Sequence, residues 1–242
     1  MRLTRLYVEA ALHTGVDLQL PVETGHYLVS VLRAKVGQAV ILFNNTGIEA
    51  QAILQSIDRK TVRVSVNEVL VVERESPLNI HLAIGISRGE RMDFVLQKST
   101  ELGVSSITPL LCERSEVKLQ GERQEKKQQH WEKVIVSACE QSGRARLPKL
   151  NASASLVECL ASDNSEQRLV LHHRSNGKLP KANVAPVSIL LLIGPEGGLS
   201  ENEIAQAEQA GCVPWTLGPR VLRTETAPLA ALSILQYKWG DL

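Results

Sequence analysis

Two short stretches near the C-terminus concentrate the residues able to do chemistry. The first reads Gly194-Pro195-Glu196-Gly197-Gly198-Leu199-Ser200-Glu201-Asn202-Glu203, directly behind the apolar run 187–193. Three glycines within five residues leave backbone N–H groups open to close approach by a ligand. A phosphate loop is a further possible reading, although the spacing is neither GxGxxG nor GxxxxGK[ST]. Ser200 and Glu203 have capping-box spacing, which predicts a helix from 201. The second stretch reads Thr216-Leu217-Gly218-Pro219-Arg220-Val221-Leu222-Arg223-Thr224-Glu225-Thr226-Ala227-Pro228. Two arginines, a glutamate and several threonines crowd a turn whose folding needs none of them. Thr226 is the expected N-cap of the next helix, with Pro228 in its first turn. A satisfied ion-pair cluster would use the same residue types. Two glycine-bearing loops at consecutive strand ends favour a pocket, because open α/β sheets bind ligands beyond their carboxyl ends.

The elements that must position these loops follow from periodicity. Up to about residue 70 the chain reads as mostly β, with strands at 18–20, 40–43, 48–57 and 61–66 and one short helix over 26–33. Several short strands with tight turns predict a small barrel. The charged stretch 73–77, ending in Pro77, reads as a linker. Beyond it, strands at 78–86, 104–111, 168–172, 187–193 and 215–217 alternate with helices over 92–102, 124–142, 201–210 and 227–238. That alternation predicts an α/β fold on a mostly parallel sheet. Trp131, Ile135 and Ala138 fall on one side of the second of these helices and read as core or dimer contact.

Composition narrows the class. The 242 residues are 43% hydrophobic and 22% charged, an ordinary globular mixture. No apolar run approaches the ~20 residues of a membrane span, and no signal-peptide core follows the N-terminal charges. Cys112, Cys139, Cys159 and Cys212 lie far apart, which suits free thiols in a cytoplasmic protein. His13, His26, His81 and His130 lack metal-ligand spacing, and no metal is expected. Net charge is +1, with a basic excess of three over 76–150, where 12 basic residues face 9 acidic ones. Only eight residues are aromatic, which argues against an RNA-binding sheet paved with stacking rings.

The two loops resemble, in order and in residue identity, the C-terminal signature of the RsmE family. These are bacterial 16S ribosomal RNA methyltransferases of the SPOUT superfamily, acting on uracil N3 at the site named for position 1498. Arg88-Gly89-Glu90-Arg91, Lys98-Ser99-Thr100-Glu101-Leu102-Gly103, Glu113-Arg114-Ser115, Lys118-Leu119 and Ala138-Cys139-Glu140-Gln141-Ser142-Gly143-Arg144 also match. Arg2, Arg5, His26, Leu32-Arg33 and Gly37 look like the family's N-terminal domain. The resemblance covers essentially the whole chain.

It implies a PUA-like β-barrel RNA-binding domain over 1–73 and a SPOUT methyltransferase domain over 74–242, with a C-terminal trefoil knot made by the two loops. It further implies a homodimer and an S-adenosyl-L-methionine cofactor. The cofactor contacts implied are Gly194, Glu196 and Gly198 in the first loop. Leu217, Gly218, Val221, Leu222, Arg223, Thr226 and Ala227 serve in the second, and His172 closes the pocket. Many members carry proline after that histidine, where this chain has His173, whose role is left open. Methyl transfer to uracil N3 needs an in-line acceptor and removal of the N3 proton. Arg223 is the candidate to stabilise the developing uracil anion; Glu225, His172 or water would accept the proton. Arg5, Arg33, Arg88, Arg91, Lys98, Arg114, Arg144 and Arg146 are the candidate RNA contacts, with Arg144 and Arg146 expected to project from a loop. The expected partner is 16S rRNA, within the 30S subunit. A non-catalytic PUA-like ribosome-assembly factor, or a SPOUT enzyme modifying another RNA position, are the alternative readings.

Overall fold

The computed structural model describes residues 3–58, 61–117, 121–172, 175, 177–181 and 184–242. Arg2, Lys118, Leu119, His173 and Arg174 lie outside the described residues. The chain forms two compact units, Met1–Glu75 with Cys139–Leu147, and Ser76–Ala138 with Pro148–Leu242.

The first unit is built on a five-stranded sheet. Its strands are β1 (Thr4–Tyr7), β2 (Asp17–Gln19), β3 (Ala39–Phe43), β4 (Ile48–Ile57) and β5 (Val62–Val71), in the order β1-β3-β4-β5-β2. β1 runs parallel to β3 and the other pairs are antiparallel. Period-two alternation sends Val40 and Leu42, Ala52 and Leu54, and Val62, Val64 and Val66 into one core with Leu6 and Leu28. The expected helix over 26–33 is longer and starts earlier: α1 (Val22–His26) opens behind Pro21 and widens into a π-helical turn over Tyr27–Val31. The Leu32 N–H reaching back to Tyr27 O closes that turn at 3.1 Å. The chain then leaves through Arg33, which holds the left-handed value φ +53°. The 73–77 stretch is not a free linker, since Arg74 pairs with Glu49 and Glu75 with Arg144 inside this unit.

The second unit carries β6 (Asn79–Gly85), β7 (Ser106–Leu110), β8 (Lys149–Leu150), β9 (Gln167–Leu171), β10 (Ser188–Ile193) and β11 (Val213–Trp215). Their order is β11-β9-β10-β6-β7-β8, and each neighbouring pair is parallel. β10 is buried from Ile189 to Ile193, as its unbroken apolar sequence predicts for a strand covered on both faces. The helices are α2 (Glu90–Glu101), α3 (Glu122–Ser142, its last residues belonging to the first unit), α4 (Leu156–Ser162), α5 (Glu201–Gln209) and α6 (Thr226–Trp239). Gly103 at φ +79° and Gly143 at φ +91° end α2 and α3 in the left-handed conformation that suits glycine. Trp131, Ile135 and Ala138 are buried. All four cysteines are free and buried; burial pushes the Cys112 and Cys139 thiols up to about 12.

Candidate active site

Three neighbouring strand ends create the site. β9 lies between β10 and β11, so the backbone leaving each strand emerges side by side at one edge of the sheet. The β10–α5–β11 connection passes over β9, which makes this edge a topological switch point. A cavity of about 360 Å³ opens there, within the size range of small-molecule sites.

Its first wall is the loop 194–199, folded tightly upon itself. A Cβ on Gly194 would stand 2.7 Å from the Leu199 nitrogen, and one on Gly85, at the end of β6, would collide with the Pro195 backbone. Gly198 closes a turn by donating to Pro195 O at 2.8 Å and sits at φ +69°. Arg114 Nη1 donates to the carbonyls of Gly197 and Leu199 at 3.3 and 3.2 Å. The Glu196 carboxylate accepts the Arg88 N–H at 3.0 Å and Arg91 Nη1 at 3.2 Å. Burial pushes the Glu196 carboxyl up, but the Arg88 and Glu196 N–H groups and the Arg91 guanidinium outweigh that and hold it below the usual range. The predicted capping box is present: Ser200 Oγ accepts the Glu203 N–H at 3.1 Å, and Glu203 accepts the Ser200 N–H at 2.7 Å. Glu203 also accepts the Glu113 N–H at 3.0 Å, fixing the segment that carries Arg114.

The second wall is the loop after β11. The Thr216 N–H donates to Gly177 O at 2.9 Å, and its hydroxyl lies 2.9 Å from His172 O and 2.7 Å from Ser175 O. This fastens the chain leaving β9 to the chain leaving β11. Gly218 adopts φ +87°, with open space where a Cβ would stand. α6 starts one residue earlier than expected, since Glu225 is the N-cap and Thr226 the first helical residue. The Arg223 carbonyl supplies the cap by accepting the Thr226 and Ala227 N–H groups, each at 2.9 Å.

Of the residues singled out in the sequence, His172, Gly194, Glu196, Gly198, Leu217, Gly218, Val221, Leu222 and Ala227 line this cavity. Arg223 and Thr226 do not; both side chains are exposed. Glu225 lines a separate groove with Arg91, Asp93, Phe94, His130 and Lys133. Sequence reasoning missed Ile193, Trp215, Thr216, Arg220 and Thr224 as lining residues. All of them sit inside or beside the two loops, so position alone was the available signal.

The cationic candidates divide sharply. Arg5 and Arg144 are buried, 8% and 7% exposed, which corrects the expectation that they face RNA. Arg5 pairs with Glu49 and lies over the Phe43 ring; Arg144 pairs with Glu75. Both guanidiniums are taken out of water and matched to carboxylates inside the protein rather than presented to solvent. Arg114 lines the cavity and holds its first loop. Lys98 pairs with Glu101 at 2.8 Å and Arg88 with Glu116 at 2.7 Å. Arg33 and Arg146 are exposed and meet no carboxylate among the described residues.

A family model described as an RNA methyltransferase domain matches residues 74–236, and one described as an RNA methyltransferase PUA domain matches residues 20–67. Ribosomal RNA small subunit methyltransferase E of Buchnera aphidicola (Schizaphis graminum) is 36% identical over 242 residues, covering 100% of this chain and 98% of the relative. The chain belongs to the RsmE family. Two solved relatives carry the likeness into three dimensions, each covering 100% of both chains. A Legionella pneumophila protein in complex with the bound cofactor S-adenosylmethionine is 43% identical with a TM-score of 0.97. The Neisseria gonorrhoeae ribosomal RNA small subunit methyltransferase E, bound to S-adenosyl methionine, is 38% identical with a TM-score of 0.92. As an RsmE-family chain the protein has an α/β methyltransferase fold joined to a PUA-like domain.

Proposed function

We propose that this chain methylates N3 of a uridine in 16S rRNA, at the 1498 site of the 30S subunit, using S-adenosyl-L-methionine held in the cavity between its two C-terminal loops. The observation that carries the reading is that cavity: both loops, and the strand end between them, converge on it. The residues present fit the cofactor. Open space at Gly198 and Gly218 is where side chains would intrude. Ile193, Trp215, Leu217 and Leu222 supply apolar walls for a base, and Glu196 and Glu201 are among the lining residues, which suits a cationic ligand.

When bound, S-adenosylmethionine supplies an electrophilic methyl group. The chain's own residues do the rest. Folding the loop 194–199 around Gly194 fixes the donor site before any acceptor arrives, so the two reactants meet already oriented. Arg223, exposed beside the cavity, stabilises negative charge developing on the uracil oxygens. Glu225, in the neighbouring groove with Arg91, takes the N3 proton. That proton lies on the Watson–Crick edge, so the target base is read unpaired or turned out of its helix.

In this reading residues 1–73 form the PUA-like barrel that binds RNA and residues 74–242 the SPOUT domain, with the two loops threaded as a trefoil knot. The enzyme works as a cytoplasmic homodimer. Arg33, Arg88, Arg91, Lys98 and Arg146 meet the rRNA, and a net charge of +1 suits a pre-shaped ribosomal surface better than naked RNA. Titrating S-adenosylmethionine calorimetrically into the wild type and into Gly194→Trp tests the site. Binding by the wild type alone supports it; equal binding by both, or none by a folded wild type, rejects it.

A further inference from the structure

Residues 139–147 are covalently the end of α3 and its exit, yet they pack as part of the N-terminal unit. Within that unit they are held by a dense set of polar contacts. The Tyr7 N–H donates to Glu140 at 3.0 Å, Arg5 Nη2 to Arg144 O at 3.0 Å and Arg74 Nη1 to Gly143 O at 2.8 Å. The Leu147 N–H donates to Asn45 Oδ1 at 2.7 Å and the Gly47 N–H to Ala145 O at 3.4 Å. Arg5 and Arg74 also share the Glu49 carboxylate, while Arg144 Nε donates to Glu75 at 3.1 Å. Ala145 and Leu147 are thereby tied to the turn 44–47, and Gly143 and Arg144 to Arg74, Arg5 and Glu75.

One side chain in that segment escapes these ties. Arg146 is exposed and has no carboxylate partner among the described residues. Its guanidinium rests against Gly47: a Cβ there would stand 2.9 Å from Nη2 and 3.1 Å from Nε. Asn45 at φ +65° and Gly47 at φ +84° curl the turn to make that seat.

A buried ion network contributes little to stability compared with apolar packing, and its best-supported use is to specify geometry. Here three guanidiniums, Arg5, Arg74 and Arg144, meet the carboxylates of Glu49 and Glu75, and Glu140 lies within electrostatic reach of Arg5, so the network is charge-balanced and the exposed Arg146 carries the unmatched charge. That arrangement is suited to an anion approaching from solvent. We propose that Arg146 is a pre-oriented contact for a phosphodiester of the acceptor RNA, and that Arg5, Glu49, Arg74, Glu75 and Arg144 are its positioning residues. The proposal rests on the RNA-methylating reading above and adds to it how the barrel unit grips its substrate.

The test exploits a sign. Removing an acidic charge by Glu75→Gln should strengthen RNA binding if only net charge matters, and weaken it if Glu75 positions Arg146. Binding to undermethylated 30S subunits would be measured from 50 to 200 mM salt for wild type, Glu75→Gln, Arg146→Ala and the double variant. Arg146→Ala is expected to lose about five-fold in affinity and to flatten the salt slope by roughly 0.9. Glu75→Gln is expected to lose about three-fold and raise KM with kcat kept, and to add nothing in the Arg146→Ala background. Arg144→Lys, which keeps the charge but loses the fork, should repeat that pattern, so a poorly folding Glu75→Gln leaves the test intact. Affinity unchanged or increased in the positioning variants, or losses that simply add, overturn the proposal. Wild type that binds S-adenosylmethionine yet never methylates 30S particles overturns the functional reading instead.

Discussion

Arg33 is the residue where conformation and chemistry pull hardest against each other. It holds φ +53°, a value that disfavours any residue with a Cβ by about 1–2 kcal/mol, and its side chain is exposed without an ion partner among the described residues. Strain of this kind persists where the side chain has work to do. Arg33→Gly is therefore expected to hold or raise stability by up to about 1 kcal/mol in urea unfolding, and to lower affinity for 30S particles about five-fold. Loss of stability with unchanged affinity would contradict that. Glu140 makes a second residue-scale case. Burial raises its carboxyl pKa above the ordinary value, against the lowering effects of the Tyr7 N–H and Arg5. The folded state thus binds the proton more tightly than the unfolded chain, so this group's contribution falls as pH rises from the ordinary carboxylate range through the raised value. Glu140→Gln keeps an acceptor for Tyr7 and removes the buried charge. The variant should match or exceed wild type in unfolding free energy at pH 7, with the difference closing toward pH 4. Glu196 is the cavity's equivalent: its carboxylate binds Arg88 and Arg91 together, and Glu196→Ala should weaken S-adenosylmethionine binding about ten-fold by calorimetry with little change in thermal midpoint.

At the scale of elements, most of what positions the cavity was legible in the sequence. The unbroken apolar run of β10, the Ser200/Glu203 box and the glycine stops of α2 and α3 are local signals, read from a few adjacent residues, and each has its physical counterpart in the fold. What sequence reading missed is set by distant partners. β1 is only four residues long and pairs with β3 across the chain, while β8 is two residues long. Thr226 resembles an N-cap, but the cap falls at Glu225 because the Arg223 carbonyl turns in to take the first helical N–H groups. The burial of Arg5 and Arg144 needed Glu49, 44 residues from Arg5, and Glu75, 69 residues from Arg144. Glu203 shows how one cap reaches beyond its helix. Ser200→Ala should cost about 1 kcal/mol in urea unfolding. Glu203→Ala should cost roughly 2–4 kcal/mol, because it also strands the Ser200 and Glu113 N–H groups. Equal losses would mean that the link to Glu113 contributes nothing.

For the molecule as a whole, the proposed function divides two tasks between the units. The parallel sheet gathers the ends of β9, β10 and β11 into one cavity, and the N-terminal unit carries Arg33, after its π-helical turn, and Arg146, in the segment that follows α3. Neither task shows in the total charge of +1, which is why composition alone could not reveal the substrate. The most direct test of the whole account is transfer of a labelled methyl from S-adenosylmethionine to undermethylated 30S subunits, with the modified atom mapped by reverse-transcription arrest and mass spectrometry of the excised nucleoside. An N3 methyl blocks Watson–Crick pairing, so the account predicts one arrest site per 16S rRNA and a nucleoside identified as N3-methyluridine. A methyl on a ribose or on another base, or no transfer by protein that binds the cofactor, would contradict it.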